Sequence, residues 1–512
     1  MKIRGTESNL RGSSLRMLAE AATTTTTALR RGVDGRPTSP ALRPSGGRPP
    51  SSARQPCSGP PSLACAAPQD IWRHIHSIMP LRDAARAACL SHAFLRSWRC
   101  HPNLTLSRDA LASKAHACAE ITYKIDCILR NHSGCLKVLN LDLQGISCRY
   151  LDGWLRVAVT PGIEELTLLP FKRKYNVPCS LLSDGVRNSI RYLEIGYCTF
   201  RPTAELGPLR SLTSLHLRTV RITGDELECL LSNALALEQL LLFDCKELIY
   251  LKIPCVLQQL GCLEIIACWW LQVIESKAPN LSSFYLTGKV SNVSLGDTLH
   301  MKNLILDRSN VVCYARTELP CIMPNLETLV LSSEDEVVST TMLPSKFLFL
   351  KHLSIKLISA FSFSRSFDYF SLVSFLDASP SLETLTLDVT QELMKLESAV
   401  GGSSNRREMP EHRHRCLKSV KITGFSSAKG LVELACYILK NAVSLESITL
   451  DTIFGPRRSG NDHTLCLPKS CGVLKEAPRA ITAIREYIED IVPPTVQLIV
   501  LKPCSRCHAR TG

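Results

Sequence analysis

The sequence lacks any apolar run long enough to cross a bilayer. Its most apolar stretch, Cys255 to Ile274, is broken by Gln258, Gln259, Glu264 and Gln272, and placing those groups in lipid is costly. No membrane span is expected. Residues 1–30 hold no apolar segment of ~7–15 residues, so no secretory leader is expected either. The 23 cysteines are odd in number and irregularly spaced, which predicts reduced thiols in a nuclear or cytoplasmic protein, not a disulfide scaffold. Also missing are Gly-x-Gly-x-x-Gly, P-loop, Gly-x-Ser-x-Gly and His-Glu-x-x-His patterns, and with them the common nucleotide, hydrolase and metalloprotease chemistries. Catalysis by this chain is not expected. Charged residues reach only 21% and aromatics 6%. Hydrophobic residues at 45% nevertheless supply a globular core and exclude wholesale disorder.

Acidic residues are scarce in one place. Residues 1–62 carry ten basic residues against Glu7, Glu20 and Asp34, and they hold the run Thr23–Thr27 and eight prolines between Pro37 and Pro61. Such a segment cannot bury enough apolar surface to offset its ordering entropy, so disorder is expected. A transit peptide for organelle import is the alternative, given its Arg, Ser and Thr content. This tail accounts for half of the net charge of +14. The remaining excess is thin, with no basic stripe, and nucleic acid is not expected as a partner.

What the chain does contain is repetition. The unit is apolar-x-x-apolar-x-apolar, first seen as Leu136-Leu139-Leu141, Ile163-Leu166-Leu168 and Ile190-Leu193-Ile195, and last as Leu417-Val420-Ile422 and Leu445-Ile448-Leu450. Thirteen such starts at a mean spacing of about 26 residues match leucine-rich repeats. Three extend to a cysteine, at Cys198, Cys245 and Cys268, where a small buried side chain is expected as the backbone leaves the strand; these thiols are read as structural. Stacked strands predict an α/β solenoid with a curved parallel sheet. The residue between the last two apolar positions should point out of the concave face. Around Leu241, Glu264, Tyr285, Ile305 and Val330 this row turns largely apolar, which predicts a patch that docks an unknown target protein or a small ligand, the alternative being that a following loop or the C-terminal segment covers it.

Ahead of the repeats, residues 66–107 read as three short helices. Ile71, Trp72, Ile75, Ile78 and Met79 make one apolar face, and Pro80 ends that helix and opens a second. A third carries Phe94, Leu95 and Trp98. About 40 residues cannot stabilise themselves strongly, so a partner or the first repeats must help.

The runs Ala67-Pro68-Gln69-Asp70-Ile71, Met79-Pro80-Leu81-Arg82-Asp83 and Leu90-Ser91-His92-Ala93-Phe94 resemble an F-box, aligned without a gap. The resemblance implies an all-helical docking module for a Skp-type adaptor and, through it, the cullin of a ubiquitin ligase. The positions that carry over are Pro68, Ile71, Ile75, Met79, Pro80, Leu81, Leu90 and Phe94. Asp70 stands for the family's Glu, and Ala67, His76, Ala84 and Phe94 stand where it has larger apolar residues. These departures predict a loss of adaptor-docking area, at ~25 cal/mol per Å². The whole is similar to plant F-box proteins with leucine-rich repeats. Gly424 to Thr452 resembles their closing FBD segment, with Leu431, Leu434, Ala435, Ile438 and Leu439 on one face of a capping helix.

The expected layout is a tail at 1–62, the F-box-like module at 66–107, the solenoid at 120–410, FBD-like final repeats and cap at 411–455, and an extension at 456–512 with a helix over about 477–491. Gly401-Gly402-Ser403-Ser404 reads as a linker insertion. Two further patterns are read as inert. Cys504-Ser505-Arg506-Cys507-His508 spells a haem-attachment motif but sits near the chain end, and a zinc set with Cys466 and Cys471 is poorly spaced. Glu411-His412-Arg413-His414-Arg415-Cys416 reads as a solvated loop. No metal or other cofactor is expected. The expected function is that of a substrate-receptor subunit, with a leucine-rich scaffold outside any ligase as the alternative.

Overall fold

The computed structural model describes residues 69–504, apart from 112–117, 145–147, 172–173, 204, 334–335, 337–345, 359–366, 391–396, 401–406, 408–410 and 455–469. The basic tail, Ala67, Pro68, Gly401–Ser404, Cys466, Cys507 and His508 lie outside the described residues.

Each leucine triplet makes one short strand. Among the described residues, fifteen strands form a single parallel sheet in chain order: β1 (Asn103–Ser107), β2 (Val138–Asp142), β3 (Glu165–Leu169), β4 (Tyr192–Gly196), β5 (Ser214–Arg218), β6 (Gln239–Phe243), β7 (Cys262–Ile266), β8 (Ser283–Thr287), β9 (Asn303–Asp307), β10 (Thr328–Ser333), β11 (His352–Leu357), β12 (Thr384–Val389), β13 (Ser419–Thr423), β14 (Ser447–Asp451) and β15 (Gln497–Leu501). Register is leucine to leucine. Leu139 lies opposite Leu166, Leu215 opposite Leu240, and Leu353 opposite Leu385. A one-residue slip would turn every leucine to the other face, so the pattern itself fixes the pairing. These leucines join one continuous core and are essentially fully buried. Helices and a second, three-stranded sheet (Tyr250–Ile253, Val273–Ser276, Asn292–Ser294) form the return side.

The turn out of six of the strands also follows a local rule. Tyr197, Thr219, Asp244 and Ala267 directly follow β4 to β7 and take φ of 58°, 53°, 48° and 56°; after β8 and β13 the same place is taken by Gly288 and Gly424. After β4 to β7 and β13 the next residue turns inward, which is why Cys198, Cys245 and Cys268 are buried. The Cys245 thiol donates to the Leu217 carbonyl at 3.6 Å and that of Cys268 to Leu242 at 3.8 Å. The Cys245 N–H in turn donates to Cys268 Sγ at 3.4 Å. Bonding to Cys268 and burial push the Cys245 thiol pKa up. The cysteines tie repeat to repeat.

The sheet is two strands longer than the thirteen triplets predict. β1 falls inside the stretch assigned to the helical module, and β15 inside the C-terminal extension. Both strands carry the final apolar pair, Leu104-Leu106 and Leu498-Val500, but the first position is polar: His101 and Thr495. The C-terminal helix spans Cys471–Tyr487 and not 477–491, because Ser470 caps it by accepting from the Val473 N–H, and Pro478 sits in its interior. Lys429–Asn441, expected to cap the solenoid with one apolar face, is buried nearly all round, at Val432, Glu433, Cys436 and Tyr437 as well. The Cys471–Tyr487 helix covers it, and β15 closes the sheet beside β14. Ala477, Ala480, Ala483 and Ile484 are buried on the inner side of that helix, Glu476 accepts from the Ser427 N–H at 2.8 Å, and the Cys436 thiol donates to the Tyr487 carbonyl at 3.4 Å.

Candidate docking surfaces

Three helices precede β1: α1 (Gln69–Ile78), α2 (Leu81–Ala88) and α3 (His92–Arg99). Pro80 separates the first two, since its ring ends one helix and presets the first turn of the next. Ser91 caps α3 by accepting from the Phe94 N–H at 3.1 Å. The eight positions singled out from sequence divide by exposure. Ile71 and Leu90 are open to solvent, 49% and 77% exposed, and Pro80 is exposed too. Ile75, Met79, Leu81 and Phe94 are half-buried, and Pro68 lies outside the described residues. Ile78, assigned only to the helix's apolar face, is 72% exposed. It stands one heptad from Ile71 on the same side of α1. The trio thus holds large apolar groups toward water, which monomeric surfaces rarely do in clusters.

Two of the departures from the family pattern, His76 and Ala84, do not fall on that surface. His76 is 2% exposed and Ala84 0%. Phe94 packs its ring on His76 with centroids 5.4 Å apart. Truncating Leu to Ala and replacing an apolar residue by His therefore weaken the inside of the trio, with no loss of docking area at those two positions. Ala67 lies outside the described residues.

The trio is joined to the solenoid through the polar residue that hid β1. His101 occupies the first leucine position and is 2% exposed. Its Nδ1 accepts from the Asn103 N–H at 3.1 Å, which leaves Nε2–H to donate to the Met79 carbonyl at 3.4 Å. Asn103 Nδ2 donates to the Ser77 carbonyl at 3.3 Å. Burial lowers the His101 pKa, so the neutral ring is favoured. Leu81 packs on the solenoid core. The helices lean on the first repeat, as their small size requires.

The second surface is the inner face of the sheet. Leu241, Glu264, Tyr285, Ile305 and Val330 lie side by side on β6 to β10, one continuous row. They do not project freely. Tyr285 is only 6% exposed and the others are half-buried, because parallel strands stand ~4.8 Å apart and neighbouring side chains pack against each other. The row is a floor, not a set of knobs. Burial raises the Glu264 pKa, and the Cys262 thiol donates to its Oε1 at 3.7 Å.

Beside the apolar row sits a polar cluster that the one-position reading could not assemble. On β4 and β5, Tyr192 Oη donates to Glu194 Oε2 at 2.8 Å and lies 3.0 Å from His216 Nδ1; Ser214 Oγ lies 3.2 Å from His216 Nε2. Arg218 Nε stands 2.5 Å from Glu194 Oε1. Its N–H is not aimed at that oxygen, so the contact is an ion pair rather than an aligned hydrogen bond. Burial holds the His216 pKa down to about 4, against the opposing pull of Glu194. The signal in sequence was period two: residues two before and two after each chosen position share its face. At the rim, Trp269 and Trp270 shortly after β7 are 54% and 65% exposed, and Ile249 after β6 is 54% exposed.

On the opposite edge, rim charges pair between repeats. Lys137 meets Glu164 at 2.7 Å, Glu327 lies between Lys302 and Lys351 at 3.3 and 3.1 Å, and Lys418 meets Glu383 at 2.9 Å. No helix among the described residues is long and apolar enough to cross a membrane.

A parallel sheet built from leucine triplets, with a short helical trio against its first strand, defines a leucine-rich-repeat protein carrying an F-box-like module. Comparison with known proteins assigns the family. The family model described as At1g61320/AtMIF1, LRR domain, matches residues 128–505. The F-box/FBD/LRR-repeat protein At1g13570 of Arabidopsis thaliana is 23% identical over 420 residues, covering 78% of this chain and 93% of that protein. The FBD-associated F-box protein At1g61320, from the same plant, is 22% identical over 71% of this chain and 82% of its own length. The chain belongs to the plant F-box proteins with leucine-rich repeats and an FBD-type ending.

Proposed function

We propose that the chain is a substrate-receptor subunit of an SCF-type cullin-RING E3 ubiquitin ligase, acting in the nucleus or cytoplasm. The F-box trio docks a Skp-type adaptor, and the inner face of the solenoid holds a target protein. The observation that carries this reading is the outward set Ile71, Ile78, Pro80 and Leu90, held on helices braced against β1 through His101 and Asn103. Such a subunit performs no bond chemistry. It raises the effective concentration of a target lysine near ubiquitin carried by another enzyme. On the inner face, the floor from Leu241 to Val330 and the ionic cluster around Glu194 and Arg218 offer an apolar and a charged half. Trp269 and Trp270 at the rim suit an interface anchor.

The test is capture of purified Skp-type adaptor by the full-length chain. Ile71→Asp and Leu90→Asp change exposed side chains, so folding is kept; each should cut capture at least ~10-fold, the effect of losing ~1.4 kcal/mol at an apolar contact. Absence of adaptor binding by the unaltered chain would leave the second reading, a leucine-rich scaffold working outside the ligase. What favours that alternative is the trio's interior, where a buried His76 leaves Nδ1 without a hydrogen-bond partner.

A further inference from the structure

Asp377 lies in the short helix Val373–Ala378, while His412 and His414 are 35 and 37 residues further on. The fold brings the three together: one ligand-capable atom of each lies within 4.8 Å of the other two. The backbone that carries the histidines is anchored. The His412 N–H donates to Asn441 Oδ1 at 3.0 Å, the His414 N–H to the Asn441 carbonyl at 2.9 Å, and the Val443 N–H to the His414 carbonyl at 3.1 Å. Spacing by two in this extended segment puts both rings on one side, with centroids 5.0 Å apart. Tyr437, from the buried helix Lys429–Asn441, donates to Asp377 Oδ1 at 2.7 Å and lies 3.1 Å from His414 Nε2. It orients both, as outer-shell partners of metal ligands do.

We propose that Asp377, His412 and His414 form a binding site for a divalent transition metal, zinc in the first instance. Two imidazoles and a carboxylate are the borderline nitrogen and oxygen donors that zinc takes at ~2.0–2.2 Å, which sets ligand atoms about 3.4 Å apart in a tetrahedron. The present triangle must close to that size, and His412, the exposed member, is the side chain with room to move. His414 is 5% exposed and held from the inside by Tyr437, so one ligand is fixed in place while the other is free to approach. Three protein ligands leave a fourth position for water or a partner's side chain. The ion would clip the connection between β12 and β13 to the helix Val373–Ala378.

The experiment uses the full-length chain, reduced, stripped with chelator and re-equilibrated with zinc chloride, with bound metal counted by mass spectrometry. Because the chain's thiols also bind zinc, the readout is the difference between proteins. His412→Ala and Asp377→Asn should each lose one equivalent and weaken binding in competition with a chelating dye by at least ~10-fold. Cobalt(II) substituted into that equivalent should give d–d bands without thiolate charge transfer. Circular dichroism checks that each variant is folded, and the near-isosteric Asp377→Asn serves if His412→Ala is not. Equal stoichiometry and equal competition curves across wild type and folded variants would overturn the site.

Discussion

His216 shows how burial on the inner face turns into pH dependence. The ring sits among Tyr192, Ser214 and Arg218, and desolvation holds its pKa to about 4 in the folded chain. In the unfolded chain it titrates near 6.5. Between these values the unfolded chain takes up a proton that the folded chain refuses, so stability falls as pH drops from 6.5 towards 4 and is unaffected above 7. At ~1.36 kcal/mol per unit, the full effect is on the order of 3 kcal/mol. Burial lowers the pKa of His76, His101 and His414 as well, and each adds loss in the same direction. Urea midpoints at pH 7.5 and 4.5 measure the total, and His216→Gln should make the decline shallower. An unchanged slope in that variant would remove His216 from the account.

At the scale of the element, the turn after β4 to β8 and after β13 asks for a left-handed residue, and the repeats answer with different side chains. Gly424, after β13, has φ of 76°, and a Cβ there would meet the Val389 carbonyl oxygen at 1.9 Å. Gly424→Ala should cost about 2–4 kcal/mol, since the backbone of the neighbouring strand cannot withdraw. Ala267, at φ 56°, already tolerates its Cβ. Ala267→Gly should change stability by no more than about 1 kcal/mol, as relief of left-handed strain offsets lost chain entropy. Thermal unfolding of both variants decides, and equal losses would mean the turn has no sterically special position. The same scale explains what the sequence makes legible. Leucine triplets at about 26-residue spacing reveal thirteen strands because core packing needs all three apolar positions. β1 and β15 stay hidden where His101 and Thr495 replace the first of them. The F-box runs locate the trio but not its orientation, so burial of His76 and Ala84 is invisible until packing is known. Sites assembled across neighbouring repeats, such as Tyr192 with His216 or Asp377 with His414, show in sequence at most which residues share a face, not which of them meet.

For the whole molecule the governing fact is that a solenoid is quasi-one-dimensional. Each strand pairs only with its neighbours, so stability is approximately a sum of repeat and interface contributions, and damage stays near its source. The C-terminal end shows how much depends on its last elements. β15 satisfies the backbone of β14, with Ile448 opposite Leu498 and Leu450 opposite Val500. Tyr487 in the preceding helix reaches back to the Ala399 carbonyl at 3.0 Å. Ending the chain after Phe454 removes both, opens the edge of β14 and uncovers the buried helix Lys429–Asn441, whose exposed apolar surface and free edge invite association. The truncated chain should lose hydrogen-exchange protection in β13, β14 and that helix, and scatter more light at micromolar concentration. Protection in β2 to β5 should stay within error of the full chain, because no repeat there touches the deleted segment. A uniform fall along the sheet would instead mean that the fifteen strands unfold as one cooperative unit.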